Sequence, residues 1–293
     1  MKNILITGSN GFIGKYLQKY MQIDGFNILF GTTSTPCSDS RCCIVFSNLY
    51  SDIEKKLESV DIDIIIHLAG ITGNIECEKD PHKTLETNVM GTYYILDAIK
   101  NKKIRLIFAS SREVYGYSKN KVNENSPLQP INLNGITKMF SENLIINFHL
   151  KYKIGFNILR FTNFYGEHNE KRGISKMIKN SLKGKKIIIF GGSQSIDLIH
   201  FDDAVNAIIK TIEAKRNGIF NIGYGKSIKL LSLIDTLEKI SKTKINFNLE
   251  KSRNIEVQKF ALDVSKAKRE LGFEAKISPK IAIKRMVTKW KKN

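Results

Sequence analysis

Short runs of Ile, Leu, Val and Phe recur through the first half of the chain, separated by longer stretches of mixed polarity. The runs Asn3–Thr7, Asn27–Thr32, Cys43–Phe46, Ile62–Leu68, Arg105–Ala109 and Phe156–Arg160 are apolar almost continuously, not at alternate positions. That pattern predicts strands covered on both faces. Between them Ile13–Ile23, Asp52–Glu58, Thr84–Asn101 and Gly135–Lys153 carry helical spacing. Strands alternating with helices predict an α/β fold, a doubly wound parallel sheet with right-handed crossovers.

The second half changes character. Lys176–Leu182, Asp202–Ala214, Leu230–Ser241, Ser265–Leu271 and Pro279–Trp290 read as helices, and Lys185–Phe190 as a strand. No Pro/Gly/Ser-rich linker divides the halves. The expected organisation is a dinucleotide-type domain over 1–165, with 195–222 packing back onto it. A smaller mixed α/β region over 166–194 and 223–293 would bind substrate.

Composition narrows the class. A length of 293 residues, 42% hydrophobic and 26% charged, suits a globular protein, and no apolar stretch is long enough to span a bilayer. The opening Met1–Gly8 runs straight into a strand, without a signal-peptide pattern. Cys37, Cys42, Cys43 and Cys77 lack zinc or redox spacing, so reduced thiols in a cytoplasmic protein are expected, with no metal. The net charge of +19 raises nucleic acid as a partner. The lysines are scattered, however, and no aromatic–basic interleaving accompanies them. Attraction of anionic, diphosphate-bearing ligands is the functional reading kept.

Candidate chemistry begins at Gly8, Gly11 and Gly14, three apart between the first strand and the first helix. The first suits a tight turn, the second close approach of a pyrophosphate, and the third helix–strand packing, with the helix N-terminus facing the anion. This is a Rossmann-type signature for NAD or NADP, with Phe12 and Ile13 inside it. The second strand ends Gly31-Thr32-Thr33-Ser34 without the acid that usually holds the ribose of NAD. Thr32 and Ser34 would admit a 2′-phosphate and Arg41 could pair with it, a lean toward NADP.

Several further segments, in order, resemble extended short-chain dehydrogenase/reductases, the nucleotide-sugar epimerase/dehydratase family, and its UDP-glucose 4-epimerase-like members in particular. Asn48-Leu49 stands where the family contacts adenine, and His67-Leu68-Ala69-Gly70 resembles its turn beside the cofactor. Asn88-Val89-Met90-Gly91-Thr92 resembles its Asn-x-x-Gly-Thr helix motif, in which the Asn is a structural tie. Ser110-Ser111-Arg112-Glu113-Val114-Tyr115-Gly116 resembles the element in which a hydroxyl, here Ser111, bonds the sugar C4 oxygen. Glu113 matches a glutamate that can act as a base near C5; the alternative is an exposed acid at the mouth of the sheet. Family dehydratases carry Asp where Arg112 stands, which disfavours an ordinary 4,6-dehydratase.

Asn134-Gly135-Ile136-Thr137-Lys138 occupies the frame of the family's Tyr-Gly-x-Ser/Thr-Lys. Lys138 would bind the nicotinamide ribose. The tyrosine that removes the hydroxyl proton is replaced by Asn134, and an amide cannot be that base. Three readings follow: another group (Lys138, Glu113, Tyr115 or Tyr117) takes the proton, or the protein binds without turnover, or an intact site has lost its tyrosine.

Farther on, Leu159–Gly166 resembles the segment that brings Thr162 to the nicotinamide amide and Asn163 to the sugar-nucleotide diphosphate. Ile196 replaces an arginine of the family pattern. Phe201-Asp202-Asp203-Ala204 matches a helix start, with Asp202 expected as its cap. Arg253 stands where the family clamps the diphosphate. The resemblance implies an enzyme that binds NAD(P) and a nucleoside-diphosphate sugar and acts at C4 through a 4-keto intermediate, epimerisation first. A 4-ketosugar reductase using NADPH, or a catalytically impaired nucleotide-sugar-binding protein, are the alternatives. It also implies a homodimer through the helices Thr84–Asn101 and Gly135–Lys153.

Overall fold

The computed structural model describes residues 2–21, 26–32, 43–45, 50–118, 121–168, 173–214, 216–252 and 260–291. The chain divides into two compact units. The first comprises Met1–Val114, Pro130–Arg160 and Thr211–Phe220; the second Tyr115–Gln129, Phe161–Lys210 and Asn221–Asn293. Within 195–222, therefore, 211–220 belongs with the first unit and the remainder with the second.

In chain order the elements begin β1 (Lys2–Thr7), α1 (Phe12–Met21), β2 (Phe26–Thr32), β3 (Cys43–Val45), α2 (Tyr50–Glu58) and β4 (Ile64–His67). They continue α3 (Asn74–Lys79), α4 (Pro81–Leu85), a π turn (Glu86–Met90), α5 (Gly91–Ile99), β5 (Arg105–Ser111), a 3-10 turn (Arg112–Tyr115), α6 (Leu133–Tyr152) and β6 (Gly155–Phe161). The remainder is β7 (Asn163–Tyr165), α7 (Gly173–Leu182), β8 (Ile187–Phe190), β9 (Ser195–His200), α8 (Phe201–Glu213), β10 (Gly218–Ile222), β11 (Ser227–Lys229), α9 (Leu230–Ser241), β12 (Phe247–Glu250), α10 (Ser265–Leu271) and α11 (Pro279–Lys291). The six strands expected in the first half are present. The helix expected over Thr84–Asn101 is present without a gap from Pro81 to Ile99, as α4, the π turn and α5 in succession, with right-handed helical dihedrals at both junctions.

The large sheet runs β10-β6-β5-β4-β1-β2-β3. β1 lies parallel to both β2 and β4, so the order reverses beside it, and such reversals open a crevice at the carboxyl ends of the strands. Leu5, Ile65, Leu106 and Ile158 fill the sheet's interior against Leu57 of α2, Leu96 and Ile99 of α5, and Ile145 and Phe148 of α6. The continuous apolar runs are the consequence: residues facing either way along a strand meet a covered surface.

In the second unit β9 pairs antiparallel with β11 and parallel with β7, while β8 pairs with β12. Tyr165, Ile178, Leu198, Leu233, Leu237, Met286 and Trp290 form its core. β9 escapes a reading of hydrophobic pattern because its buried positions include Asp197 and His200. The Asp197 carboxylate accepts from the backbone N–H of Tyr224, Gly225 and Leu262. Among the described residues, no helix is long and apolar enough to cross a membrane.

Candidate active site

The turn after β1 is built by its glycines. Gly8 has φ +70°, and a Cβ there would lie 2.6 Å from Ala69 N; only glycine fits both the left-handed backbone and the contact. The Gly11 N–H bonds Gly8 O at 2.8 Å, and the Ser9 hydroxyl donates to Gly31 O, tying the turn to β2. At Gly14 a side chain would meet Gly8 O at 2.5 Å and Ser9 O at 2.6 Å, so α1 packs directly on the turn. Phe12 and Ile13, both half-buried, begin α1.

This turn borders a cavity of about 450 Å³. Gly8, Asn10, Gly11, Gly31 and the stretch Leu68–Ile71 line it, with His67 at the end of β4. A glycine-lined wall beside a helix N-terminus, at the reversal of strand order, fits a dinucleotide. Thr32 ends β2, paired in register with Val45. Ser34, Arg41, Asn48, Leu49 and Arg253, all expected at ligands, lie outside the described residues.

Asn88 sits in the π turn, buried. Its Oδ1 accepts from Ile71 N at 2.7 Å, and its Nδ2 donates to Ile71 O and to Thr137 Oγ1. Its own carbonyl takes the Thr92 and Ser141 hydroxyls. One residue thus joins the loop after β4 to α6, a use typical of π turns at functional sites. His67 is neutral: burial, helped by the Lys138 charge, lowers its pKa to about 3. Its ring nitrogens meet Thr7 Oγ1 at 2.7 Å and Thr92 Oγ1 at 3.1 Å.

At the end of β5 two serines diverge, as successive strand residues must. The Ser110 hydroxyl turns inward to Glu142 Oε1 at 2.5 Å, and Glu142 is paired with Arg160 at 2.6 Å. Ser111 is half-buried, and its Oγ accepts the Glu113 N–H at 3.2 Å. Glu113 is not an exposed acid. It is 4% exposed, with Oε1 2.7 Å from Arg112 Nη2 and Oε2 2.8 Å from Asn132 Nδ2. Both carboxylate oxygens are thus engaged, one by a guanidinium and one by a side-chain amide.

Asn132 caps α6, its Oδ1 accepting from Gly135 N at 2.9 Å. Gly135 is required because a Cβ there would fall 2.4 Å from Glu113 O. The cap places Asn134 and Lys138 one turn apart on one face of α6. Asn134 is buried; its Nδ2 lies 3.4 Å from Asn74 Oδ1 of α3, and its Oδ1 has no hydrogen-bond partner. Lys138 is also buried, Nζ donating to Ala109 O at 2.7 Å and lying 4.6 Å from the Phe108 ring centre. Burial lowers its pKa to about 8, against the smaller pull of Cys77 and Glu142. Asn74, Cys77 and Asn132 are neighbours that sequence reading missed. Asn132 alone carried a signal, an Asn three residues ahead of a helical glycine.

In the second unit Thr162 is buried, with its hydroxyl donated to Asp197 O at 2.6 Å. Asn163 begins β7, paired with Leu198. The Tyr115 hydroxyl donates to Asn221 Oδ1 at 2.7 Å, which fixes a side chain considered as a mobile base. Tyr117 is exposed. Asp202 lies in the first turn of α8 and pairs with Arg285 at 2.8 Å.

Residues 4–223 match the model of the NAD dependent epimerase/dehydratase family. A Methanocaldococcus jannaschii protein bearing a provisional UDP-glucose 4-epimerase name is 32% identical, over 99% of this chain and 98% of its own length. The UDP-glucuronic acid 4-epimerase of Bacillus cereus, solved with UDP-glucuronic acid and NAD, superposes with a TM-score of 0.90 at 28% identity, covering 99% of both chains. The UDP-glucose 4-epimerase of Thermotoga maritima, solved with UDP-glucose, gives 0.90 at 25% identity, again over 99% of both. With the glycine turn, the Asn88 tie and the Ser111–Lys138 frame all in place, the chain belongs to the NAD dependent epimerase/dehydratase family and is an enzyme of that family.

Proposed function

We propose that the protein is a nucleoside-diphosphate-sugar 4-epimerase working through a 4-keto intermediate, with UDP-hexoses and UDP-hexuronates as the first substrates to test. The observation that carries this reading is full-length likeness to two 4-epimerases, whose substrates are UDP-glucuronic acid and UDP-glucose. The cofactor is NAD or NADP, held by Gly8, Gly11, Phe12, Ile13, Gly14, Leu68, Ala69 and Gly70. When bound, it supplies a hydride acceptor that returns the hydride. Ser111 orients the sugar C4 oxygen, Lys138 faces the nicotinamide ribose, and Asn163 and Arg253 serve the diphosphate. The lean toward NADP rests on the missing acid after β2, whereas the Bacillus cereus enzyme was solved with NAD. Exposed Met90, Phe140 and Leu150 favour self-association through the π turn and α6. The free thiol of Cys77 suits a reducing cytoplasm.

Asn134 supports a second reading. Loss of a positioned acid/base typically slows an enzyme by roughly 10²–10⁴-fold, and a binder with little turnover would look the same. The test follows UDP-, GDP-, CDP- and dTDP-sugars by NMR with NAD or NADP, using the protein and its Asn134→Tyr variant. A C4 epimer formed without net cofactor change supports the epimerase. Net oxidation of NADPH supports a 4-ketosugar reductase. Binding with turnover only in the variant supports the binder.

A further inference from the structure

Without a tyrosine, the proton of the sugar hydroxyl needs another acceptor. The titratable groups around the first turns of α6 can be taken one by one. From α3, Glu78 Oε1 accepts the Leu133 N–H at 2.9 Å, and Glu76 pairs at the surface with Lys79. Cys77, also on α3, is fully buried against Ile71 O, and burial pushes its thiol up to about 11. From β4, His67 is bonded at both nitrogens and stays neutral. After β5, Glu113 is clasped by Arg112 and Asn132. Farther along α6, Glu142 is held by Arg160 and Ser110. Lys138 remains. Its Nζ lies beside Gly70 of the cavity wall, where an added Cβ would come within 3.8 Å.

We propose, resting on the 4-epimerase reading above, that Lys138 Nζ is the proton acceptor, with Asn134 Oδ1 as the acceptor that steadies the resulting ammonium. As the neutral amine, Lys138 keeps one N–H on Ala109 O and offers its lone pair to the sugar O–H. The O–H bond breaks and an N–H bond forms. The C4–H electron pair leaves with its hydrogen to a nicotinamide-class oxidant, and the C4–O bond becomes a carbonyl. Return of hydride to the opposite face takes the proton back from Lys138. Asn134 lies one turn earlier on the same face, so its unpartnered Oδ1 can take an N–H of the cation. The low-dielectric surroundings that bring Lys138 to about 8 make the neutral amine available near physiological pH.

The experiment combines a direct titration with conversion. Protein labelled with 13C at lysine ε-carbons is titrated by NMR between pH 6 and pH 11, Lys138 being identified by its absence in Lys138→Arg. Conversion of UDP-glucose and UDP-glucuronic acid with NAD is then followed across the same range. The expected result is one ε-carbon with a midpoint near 8 and conversion rising to a plateau through that midpoint. Lys138→Arg, which keeps charge and donors but cannot accept a proton, should lose at least 100-fold in rate at saturating NAD. Lys138 titrating with the surface lysines, or Lys138→Arg turning over normally, overturns the proposal and leaves the epimerase reading standing. A midpoint near 8 without conversion of any sugar overturns both.

Discussion

Glu113 Oε2 accepts a hydrogen bond from Asn132 Nδ2 at 2.8 Å, and Asn132 in turn caps α6 through Gly135. The carboxylate that pairs with Arg112 therefore also sets where Asn134 and Lys138 stand relative to Ser111. Glu113→Ala takes the carboxylate from a buried guanidinium and loosens the cap, a loss expected to reach about 3–5 kcal/mol. Glu113→Gln should cost less, because the amide oxygen can still accept from Asn132. Chemical unfolding of both variants checks the order. Equal stability of the alanine variant and the parent would show the clasp to be idle.

Gly14→Ala puts a methyl group 2.5 Å from Gly8 O, a backbone atom that cannot swing aside. The turn and α1 must separate, at about 1–3 kcal/mol. Calorimetry should show dinucleotide affinity falling at least tenfold, with nucleotide-sugar binding retained. Unchanged affinity would mean that this turn does not face the pyrophosphate.

His67 links folding to pH. Its folded pKa, about 3, lies below the ordinary 6.5, so the unfolded chain binds more protons between those values. Its contribution is fully present above pH 6.5 and is lost as pH falls toward 3, with a slope approaching about 1.4 kcal/mol per pH unit. Urea unfolding at pH 7 and pH 5.5 should show a loss of about 1 kcal/mol from this group. His67→Gln, lower in stability overall, should lack that increment. If parent and variant decline in parallel, the histidine is not the source.

Tyr115→Phe removes the donor to Asn221 Oδ1 and should cost about 1–2 kcal/mol, since a buried acceptor loses its partner. Conversion rates should stay within threefold of the parent. A fall of two orders of magnitude would return Tyr115 to the chemistry.

The division between sequence and structure is clear in particular residues. Gly8, Gly11 and Gly14 announce their turn because each contact there involves backbone, which tolerates no side chain whatever its surroundings. Strands β1 to β6 of the large sheet announce themselves because burial on both faces demands unbroken apolar runs, whereas β10, Gly218–Ile222, does not. The replacement of tyrosine by Asn134 is visible in the chain alone, within a frame otherwise intact. What the chain could not disclose is how polar groups are spent. Ser110 and Ser111 are alike as letters, yet one is consumed by Glu142 and the other faces outward from the strand end. Glu113 reads as an acid with no stated partners, yet Arg112 and Asn132 close on it from its own turn and from nineteen residues away. The lowered pKa of Lys138 comes from burial, which no spacing encodes. Backbone geometry and hydrophobic pattern are local or periodic and so are written in order along the chain. Hydrogen-bond partners and desolvation arise only when distant segments meet, and tertiary structure alone decided them.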